Sequence, residues 1–275
     1  MNLEFVTRWI ALTTIVLVVV VSTTPCSATM WLVQEQEQEQ EQEKKEEQET
    51  DKSEPEKGQA MSVDLFDDFD GAFEIDWEVL RPDKEMVSLE TNPGQLTITT
   101  QRGSINGNPE EDELSEGNLP KNFHLVTNPL APDIDYQVEV KISDFHPSAY
   151  YHQCGIILYN DDDNYVKLSF EYHRPHPSGL SVTWGMEVDQ ESTFQGADPG
   201  ETSELILRLI CRDGKLYGYA GKSVEELELM FDAKEWNVDS GPQKVGLYAK
   251  NGGNRAADPI EIQFDYFRFT SVVDD

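Results

Sequence analysis

The sequence is poor in cationic residues. Its 275 residues include 21 Lys and Arg against 53 Asp and Glu, which gives a formal net charge of -32 at pH 7. Proteins that bind nucleic acids need cations to neutralise phosphates and release counterions, and docking on an anionic membrane needs a basic surface. The composition therefore argues against nucleic acid as a partner and favours neutral or cationic partners.

Cysteine is scarce as well. Of the three cysteines, Cys26 lies in the N-terminal segment, which leaves Cys154 and Cys211 for the folded part. Each falls on the apolar side of a predicted strand. In an exported protein the two could form a disulfide, and buried free thiols are equally common at such positions, so both states stay open.

The sequence also lacks a CxxC metal motif, a phosphate-binding loop and a nucleophile elbow.

Long apolar runs are absent. The longest, Trp9 to Val21, has 13 residues and follows Arg8, whereas a membrane-spanning helix needs about 20. With the small residues Ser27 and Ala28 after it, the run predicts a secretory signal peptide over residues 1–28. We therefore expect a secreted or extracytoplasmic protein, with an uncleaved N-terminal anchor as the alternative and no membrane insertion of the folded domain.

A disordered Gln/Glu-rich linker is predicted over residues 29–60. Gln and Glu alternate from Gln34 to Glu43, and residues 34–57 contain 11 acids and 4 Lys with no apolar side chain to bury. Such a segment cannot offset the entropy lost on ordering. Most of the acidity lies elsewhere, since residues 58–275 hold 41 acids and 16 bases.

Residues 61–275 form the predicted folded domain. Short runs with period-two alternation are separated by Gly, Pro, Asn and Asp, which is typical of an antiparallel β-sandwich. The hairpin turns are placed at 161–164 and 212–215, and only Val224–Phe231 reads as a short helix. The predicted strands are Gln95–Gln101, Tyr136–Ile142, Gly155–Tyr159, Tyr165–Tyr172, Leu180–Val188, Leu205–Arg212, Leu216–Ala220, Val245–Ala249 and Ile260–Thr270.

Strand Tyr165–Tyr172 has two chemically different faces. One carries Val166, Leu168, Phe170 and Tyr172 and is the predicted core side. The other carries Tyr165, Lys167, Ser169 and Glu171, which suits either a solvated sheet or a face open to a ligand.

An ExDxE pattern is the strongest enzymatic motif. Glu74, Asp76 and Glu78 resemble the catalytic strand of glycoside hydrolase family 16, in which alternate residues share one face and two carboxylates flank the substrate. In that family the catalytic strand lies near the middle of the domain, whereas here the motif closely follows the first strand. We therefore predict no catalytic residue in it.

Six segments occur in an order that carries a family resemblance: Leu65–Gly71, Trp77, Pro93–Leu96, Gln153–Tyr159, Asp163–Leu168 and Phe264–Phe269. Together they resemble the concanavalin A-like domain of unknown function 1349 and the similar C-terminal β-sandwich of glycoside hydrolase family 43 β-xylosidases. The resemblance implies an all-β, two-sheet jelly roll with one concave face, where lectins and glucanases of this architecture hold sugars. In the xylosidases the catalytic carboxylates belong to a separate propeller domain that has no counterpart in these residues, which favours a non-catalytic module.

The resemblance also implies a structural calcium ion. Related sandwiches often bind one through two backbone carbonyls and a carboxylate, and the matching positions are Asp68, Gly94 and Asp265. Oxygen ligands suit this hard cation. The alternative is that Asp265 caps a turn or pairs with a nearby base.

The expected ligand is a carbohydrate. Flat aromatic rings stack on sugar C–H faces and planar polar groups bind hydroxyls. The candidates are Tyr150, Tyr151, Gln153, Lys167, Glu171 and Trp184, although Trp184 alternates with Leu180 and Val182 and so could belong to the core. We expect a secreted lectin-like module that does not cleave its ligand.

Two other functions stay open from the sequence. One is a glycoside hydrolase with a carboxylate pair such as Glu171 and Glu187, which requires the two groups to face each other across a cleft. The other is a protein-interaction module whose acidic face meets a basic partner.

Overall fold

The computed structural model describes residues 62–105, 119–236, 241–252 and 257–272. The signal peptide predicted at residues 1–28 and the linker predicted at residues 29–60 lie outside these ranges. Within them, no helix has the length and apolar character needed to cross a membrane.

The described residues form a β-sandwich of two antiparallel sheets, which confirms the predicted fold class. One sheet contains β1 (Asp64–Asp67), β3 (Val87–Ser88), β4 (Leu96–Thr99), β6 (Tyr136–Asp144), β11 (Leu205–Arg212), β12 (Lys215–Gly221), β13 (Glu228–Glu235) and β15 (Glu261–Ser271). The other contains β2 (Glu78–Leu80), β5 (Phe123–Thr127), β7 (Gln153–Asp161), β8 (Asn164–Tyr172), β9 (Leu180–Val188), β10 (Glu191–Ala197) and β14 (Lys244–Lys250).

The hydrogen-bonded strand pairs give the order of the strands in each sheet. The first sheet runs β13-β12-β11-β6-β15-β4-β3, with β1 beside β15, and the second runs β10-β9-β8-β7-β14-β5-β2. Both predicted hairpin turns are present, since β7 pairs with β8 through Asp161 and Asn164, and β11 with β12 through Arg212 and Lys215.

The core lies between the two sheets. Alternate residues of the long strands point into it, among them Val140 of β6, Leu168 and Phe170 of β8, and Phe267 and Phe269 of β15, all fully buried. Burying one such side chain contributes about 1.5–3 kcal/mol. The apolar residues that alternate in the sequence are therefore those that pack between the two sheets.

The prediction of a helix at Val224–Phe231 is wrong. The chain makes a single 3-10 turn over Val224–Glu226 and then enters β13, where Phe231 is buried opposite Gly218 of β12. A Cβ on Gly218 would lie 3.1 Å from the Phe231 ring, so this glycine makes room for the ring. Burial of Phe231 against the sheet outweighs the local helix propensity.

Both cysteines of the domain are buried free thiols. Cys154 lies on β7 and Cys211 on β11, in different sheets. Burial raises the pKa of both thiols. Of the two states that the sequence left open, the structure therefore has the unpaired one.

The carboxylate of Asp67 organises the loop between β1 and β2. It is fully buried; Oδ1 accepts the Phe69 N–H at 3.0 Å, and Oδ2 accepts the backbone N–H of Glu74 at 3.0 Å, that of Ile75 at 3.2 Å and the Trp77 indole N–H at 2.8 Å. These bonds satisfy donors that would otherwise be buried without a partner.

We predict that Asp67→Asn destabilises the protein by about 2–3 kcal/mol, because the new amide would present N–H groups to N–H donors and leave some of them unsatisfied. Urea unfolding followed by tryptophan fluorescence measures the difference. The control is Asp68→Asn, since Asp68 is exposed and its carboxylate accepts the N–H of Asp70, which is exposed as well. Equal effects of the two substitutions would contradict this role of Asp67.

Candidate functional site

The outer face of the second sheet, the side turned away from the core, carries a row of polar residues across its central strands. Glu171 of β8 lies opposite Gln153 of β7 and Ser181 of β9, and Gln153 lies opposite Lys250 of β14. The next row along the same strands contains Ser169, Thr183 and Tyr248, paired around Gly155.

Hydrogen bonds connect these rows. Lys167 Nζ donates to Gln153 Oε1 at 2.6 Å, and the Tyr248 hydroxyl donates to the same oxygen at 3.2 Å. Thr183 Oγ1 donates to Glu171 Oε1 at 2.8 Å. The structure thus brings together Gln153, Lys167 and Glu171, as the sequence predicts, and adds Lys250 and Tyr248 to them.

Phe194 covers one side of this polar cluster, and sequence reasoning missed it. Its ring lies on Gly185, where a Cβ would come within 2.9 Å of the ring and 2.7 Å of Lys167 Cε. The Lys167 Nζ atom is 5.5 Å from the ring centroid, and 49% of Phe194 is exposed. Phe194 therefore offers a flat aromatic surface beside an ammonium group.

Tyr150 and Tyr151 lie at the end of the same face, in the turn before β7. Both are exposed, and Tyr150 packs edge-on against Tyr172 with ring centroids 5.5 Å apart. Tyr151 has a φ of 73° and lies against Gly252, where a Cβ would be 2.5 Å from the Tyr151 Cβ. Because Gly252 follows Lys250 by two residues, Tyr151 borders the row that contains Gln153.

Trp184 does not belong to this face. It lies opposite Leu168 on the core side of β9, is 2% exposed and packs 6.2 Å from Phe231. The alternation with Val182 gives the reason, since both side chains point between the sheets. Together with Phe194, it lines a cavity of about 350 Å³ between β10 and β13.

The rest of the outer face is apolar and filled. Seven buried side chains form a second cluster, which meets the polar half at Tyr248: Ile105, Phe123, Leu125, Ile157, Tyr159, Tyr165 and Tyr248. In the described residues, this cluster leaves the polar half, between β10 and β14, as the part of the face with groups that can bind a saccharide.

Burial changes the acidity of several groups in the polar half. It lowers the pKa of Lys250 to about 7, an effect to which the charge of Lys167 adds. It also lowers the pKa of Lys167, although Glu171 and Glu187 oppose the shift. Burial raises the pKa of Glu187 to about 7 against the hydrogen bond that its Oε2 accepts from the Tyr165 hydroxyl at 2.9 Å.

Neither carboxylate pair considered from the sequence faces across a cleft. Glu171 lies opposite Ser181 of β9, and Ser181 is six residues from Glu187 on that strand. The two glutamates are therefore about 20 Å apart along the strand direction. In the ExDxE segment only Glu78 is in a strand, and its carboxylate binds Lys244 Nζ at 2.5 Å. The geometry does not match the roughly 5–10 Å separations of glycosidase pairs.

The positions expected to bind calcium lie near one another along β15. β1 and β4 pair with successive segments of this strand, and the junction between the segments contains Asp265. β1 ends one residue before Asp68, and β4 begins two residues after Gly94.

The side chains at this junction already have partners. Asp265 Oδ2 lies 2.6 Å from Lys141 Nζ, and the Asp68 carboxylate accepts the Asp70 N–H. Within the described ranges, no group of three or more His, Cys, Asp and Glu residues is arranged to hold a metal. A calcium ion would have to compete with the Lys141 ammonium for Asp265, and its binding stays a prediction.

Solved structures with the same fold include enzymes of glycoside hydrolase family 43. BlXynB from Bacillus licheniformis is 24% identical with a TM-score of 0.60, and the match covers 80% of this chain and 40% of that one. The xylan β-1,4-xylosidase from Bacillus halodurans is 19% identical with a TM-score of 0.57 and the same coverage. A protein of unknown function from Saccharomyces cerevisiae is 16% identical with a TM-score of 0.55, over 72% of this chain and 97% of its own.

The chain therefore corresponds to about 40% of the length of the two enzymes. Comparison with curated proteins finds no significant match. The profile of the β-xylosidase C-terminal concanavalin A-like domain matches residues 66–270, nearly the whole sandwich. The chain belongs to the family of β-xylosidase C-terminal concanavalin A-like domains.

Proposed function

We propose that this protein is a carbohydrate-binding module that holds a saccharide on the polar half of the outer face without cleaving it. The arrangement of Gln153, Lys167 and Glu171 beside the exposed ring of Phe194 carries the proposal. Planar polar groups next to an aromatic surface are what saccharide hydroxyls and C–H faces require. The family, whose name refers to β-xylosidases, makes xylan-type oligosaccharides the first ligands to test.

Export is part of the same proposal. A module that binds polysaccharide needs access to the cell exterior, and residues 1–28 have the pattern of a secretory signal. N-terminal sequencing of the mature protein would find a new terminus near Ala28, and an intact Met1 would indicate an anchor instead.

We predict that Phe194→Ala weakens the binding of xylotetraose about tenfold, because loss of one stacked aromatic ring removes about 1–1.5 kcal/mol. Isothermal titration with the full chain measures the affinity. The control is Phe66→Ala, since Phe66 is 42% exposed but lies on β1 of the other sheet. Equal affinity of the Phe194 variant and the unmodified protein would contradict the proposed position of the ligand.

A glycoside hydrolase is the second candidate, and one observation favours it. Glu187 has a pKa of about 7 because it is buried, which is the property of a general acid. Its Oε1 atom is buried without a partner, so that it could hold a proton. Glu171, the partner considered from the sequence, lies six residues away along the sheet and cannot flank a glycosidic bond together with Glu187.

We predict that the protein releases no reducing sugar from xylotetraose. We also predict that Glu187→Gln changes how the free energy of unfolding depends on pH. Since burial raises the pKa of Glu187 from 4.5 to about 7, the folded protein keeps a proton between these values that the unfolded chain has lost. The resulting stability is present at low pH and is lost as the pH rises through 7.

Between pH 5 and pH 8, the free energy of unfolding of the unmodified protein should therefore fall by about 1–2 kcal/mol more than that of Glu187→Gln. Urea unfolding at both pH values tests this, with Glu191→Gln as the control because Glu191 is exposed on the neighbouring strand. Sugar release that Glu187→Gln abolishes would establish the hydrolase instead.

A further inference from the structure

Two buried lysines on the outer face have no carboxylate partner. Lys167 is 5% exposed and Lys250 is 4% exposed. Throughout the described ranges, the lysines and arginines that form ion pairs are others: Arg81, Lys121, Lys141, Arg208, Lys244 and Arg268. In a domain so rich in acids, this pair of cations is an exception.

The hydrogen bonds of the two ammonium groups are also incomplete. Each group has three N–H donors. Lys167 Nζ donates to Gln153 Oε1, and Lys250 Nζ donates to the Gly103 carbonyl at a long 3.4 Å. Burying a cation without a counterion or a full set of acceptors is unfavourable. The arrangement therefore suits a site whose missing acceptors come from a ligand.

The two lysines flank Gln153, which lies opposite Lys250 and accepts the hydrogen bond of Lys167. The charge of Lys167 lowers the pKa of Lys250, and both face Glu171. Lys167 also faces Glu187. These carboxylates lie beyond the 4 Å limit of an ion pair and are held by Thr183 and Tyr165 respectively. Neither glutamate therefore pairs with a lysine, and an anion bound by both ammonium groups would supply the missing counterion.

We propose that Lys167 and Lys250 bind the acidic group of a saccharide, either the carboxylate of a uronic acid or a sulfate ester. This inference rests on the proposed carbohydrate-binding function. The acidic group would accept hydrogen bonds from both ammonium groups, and the rest of the sugar would lie toward Phe194 and the exposed tyrosines. Hydrogen bonds between oppositely charged groups are about twice as strong as those between neutral groups. The site should therefore prefer an acidic ligand over a neutral one.

The test compares three matched ligands by isothermal titration against the full chain. They are xylotetraose, xylotetraose with one 4-O-methylglucuronic acid branch, and xylotetraose monosulfate. At pH 6 we expect an acidic ligand to bind at least tenfold more tightly than the neutral one, and comparison of the carboxylate with the sulfate identifies the preferred acidic group. Equal affinity for all three would overturn this inference and leave the proposed function standing, whereas binding of none would overturn both.

Substitution assigns the effect to the lysines. Lys250→Met should reduce the affinity for the preferred acidic ligand about tenfold and leave xylotetraose within twofold. Because removing an unpaired buried cation does not weaken the fold, the melting temperature should not fall. Lys244→Met removes the same charge at the other end of β14, where it pairs with Glu78, and should change neither affinity. An acidic preference that survives Lys250→Met and Lys167→Met would overturn the assignment.

The pH dependence gives a second readout. Lys250 has a pKa of about 7, so it loses its charge between pH 6 and pH 8. Over the same range Glu187 loses its proton and becomes negative beside Lys167. Both changes weaken the binding of an anion, and the tenfold preference should shrink as the pH rises. A preference that grows with pH would contradict the role of the lysines.

Discussion

The register between β7 and β8 determines which side chains can meet a ligand. Side chains alternate between the two faces of a strand, so a slip of β8 by one residue would pair Gln153 with Phe170 and bring Phe170 to the outer face in place of Glu171. The hairpin turn opposes such a slip, because Asp161 Oδ1 accepts both the Asp163 N–H and the Asn164 side-chain amide. A short acidic turn at one end of the hairpin thus positions the polar row at the other end.

The polar half of the outer face is unfavourable for stability, and the rest of the sandwich offsets it. Lys167, Lys250 and Glu187 are buried ionisable groups, and Glu187 Oε1 has no hydrogen-bond partner in the described structure. The charged form of each group is more stable in water than in a protein interior. The large core between the sheets and the apolar cluster beside the polar half supply the compensating burial. Local departures from good packing rules of this kind are expected where a protein binds something.

The sequence predicts the strands and much of the site where alternation is strong. Strand Tyr165–Tyr172 has a clear apolar face, and for this reason Lys167 and Glu171 could be assigned to the outer side correctly. Phe194 could not be found in this way, because β10 is an exposed edge strand without an apolar face. Lys250 was missed because the predicted strand ends at Ala249, one residue too early. Trp184 shows the limit of residue type as a guide, since its alternation with Val182 already indicated the core.

The overall charge and the local charge of this protein act on different length scales. The net charge of -32 repels extended polyanions, whose many charges lie over the acidic surface at once. Salt screens that repulsion beyond about 8 Å, whereas the ammonium groups of Lys167 and Lys250 would touch their ligand in a region of low dielectric constant. A single acidic group among neutral sugars satisfies both constraints, because it places one charge at the lysines and none elsewhere. The same reasoning disfavours nucleic acids and densely charged polyuronates, so the acidic surface would act as a filter on which polysaccharides reach the site.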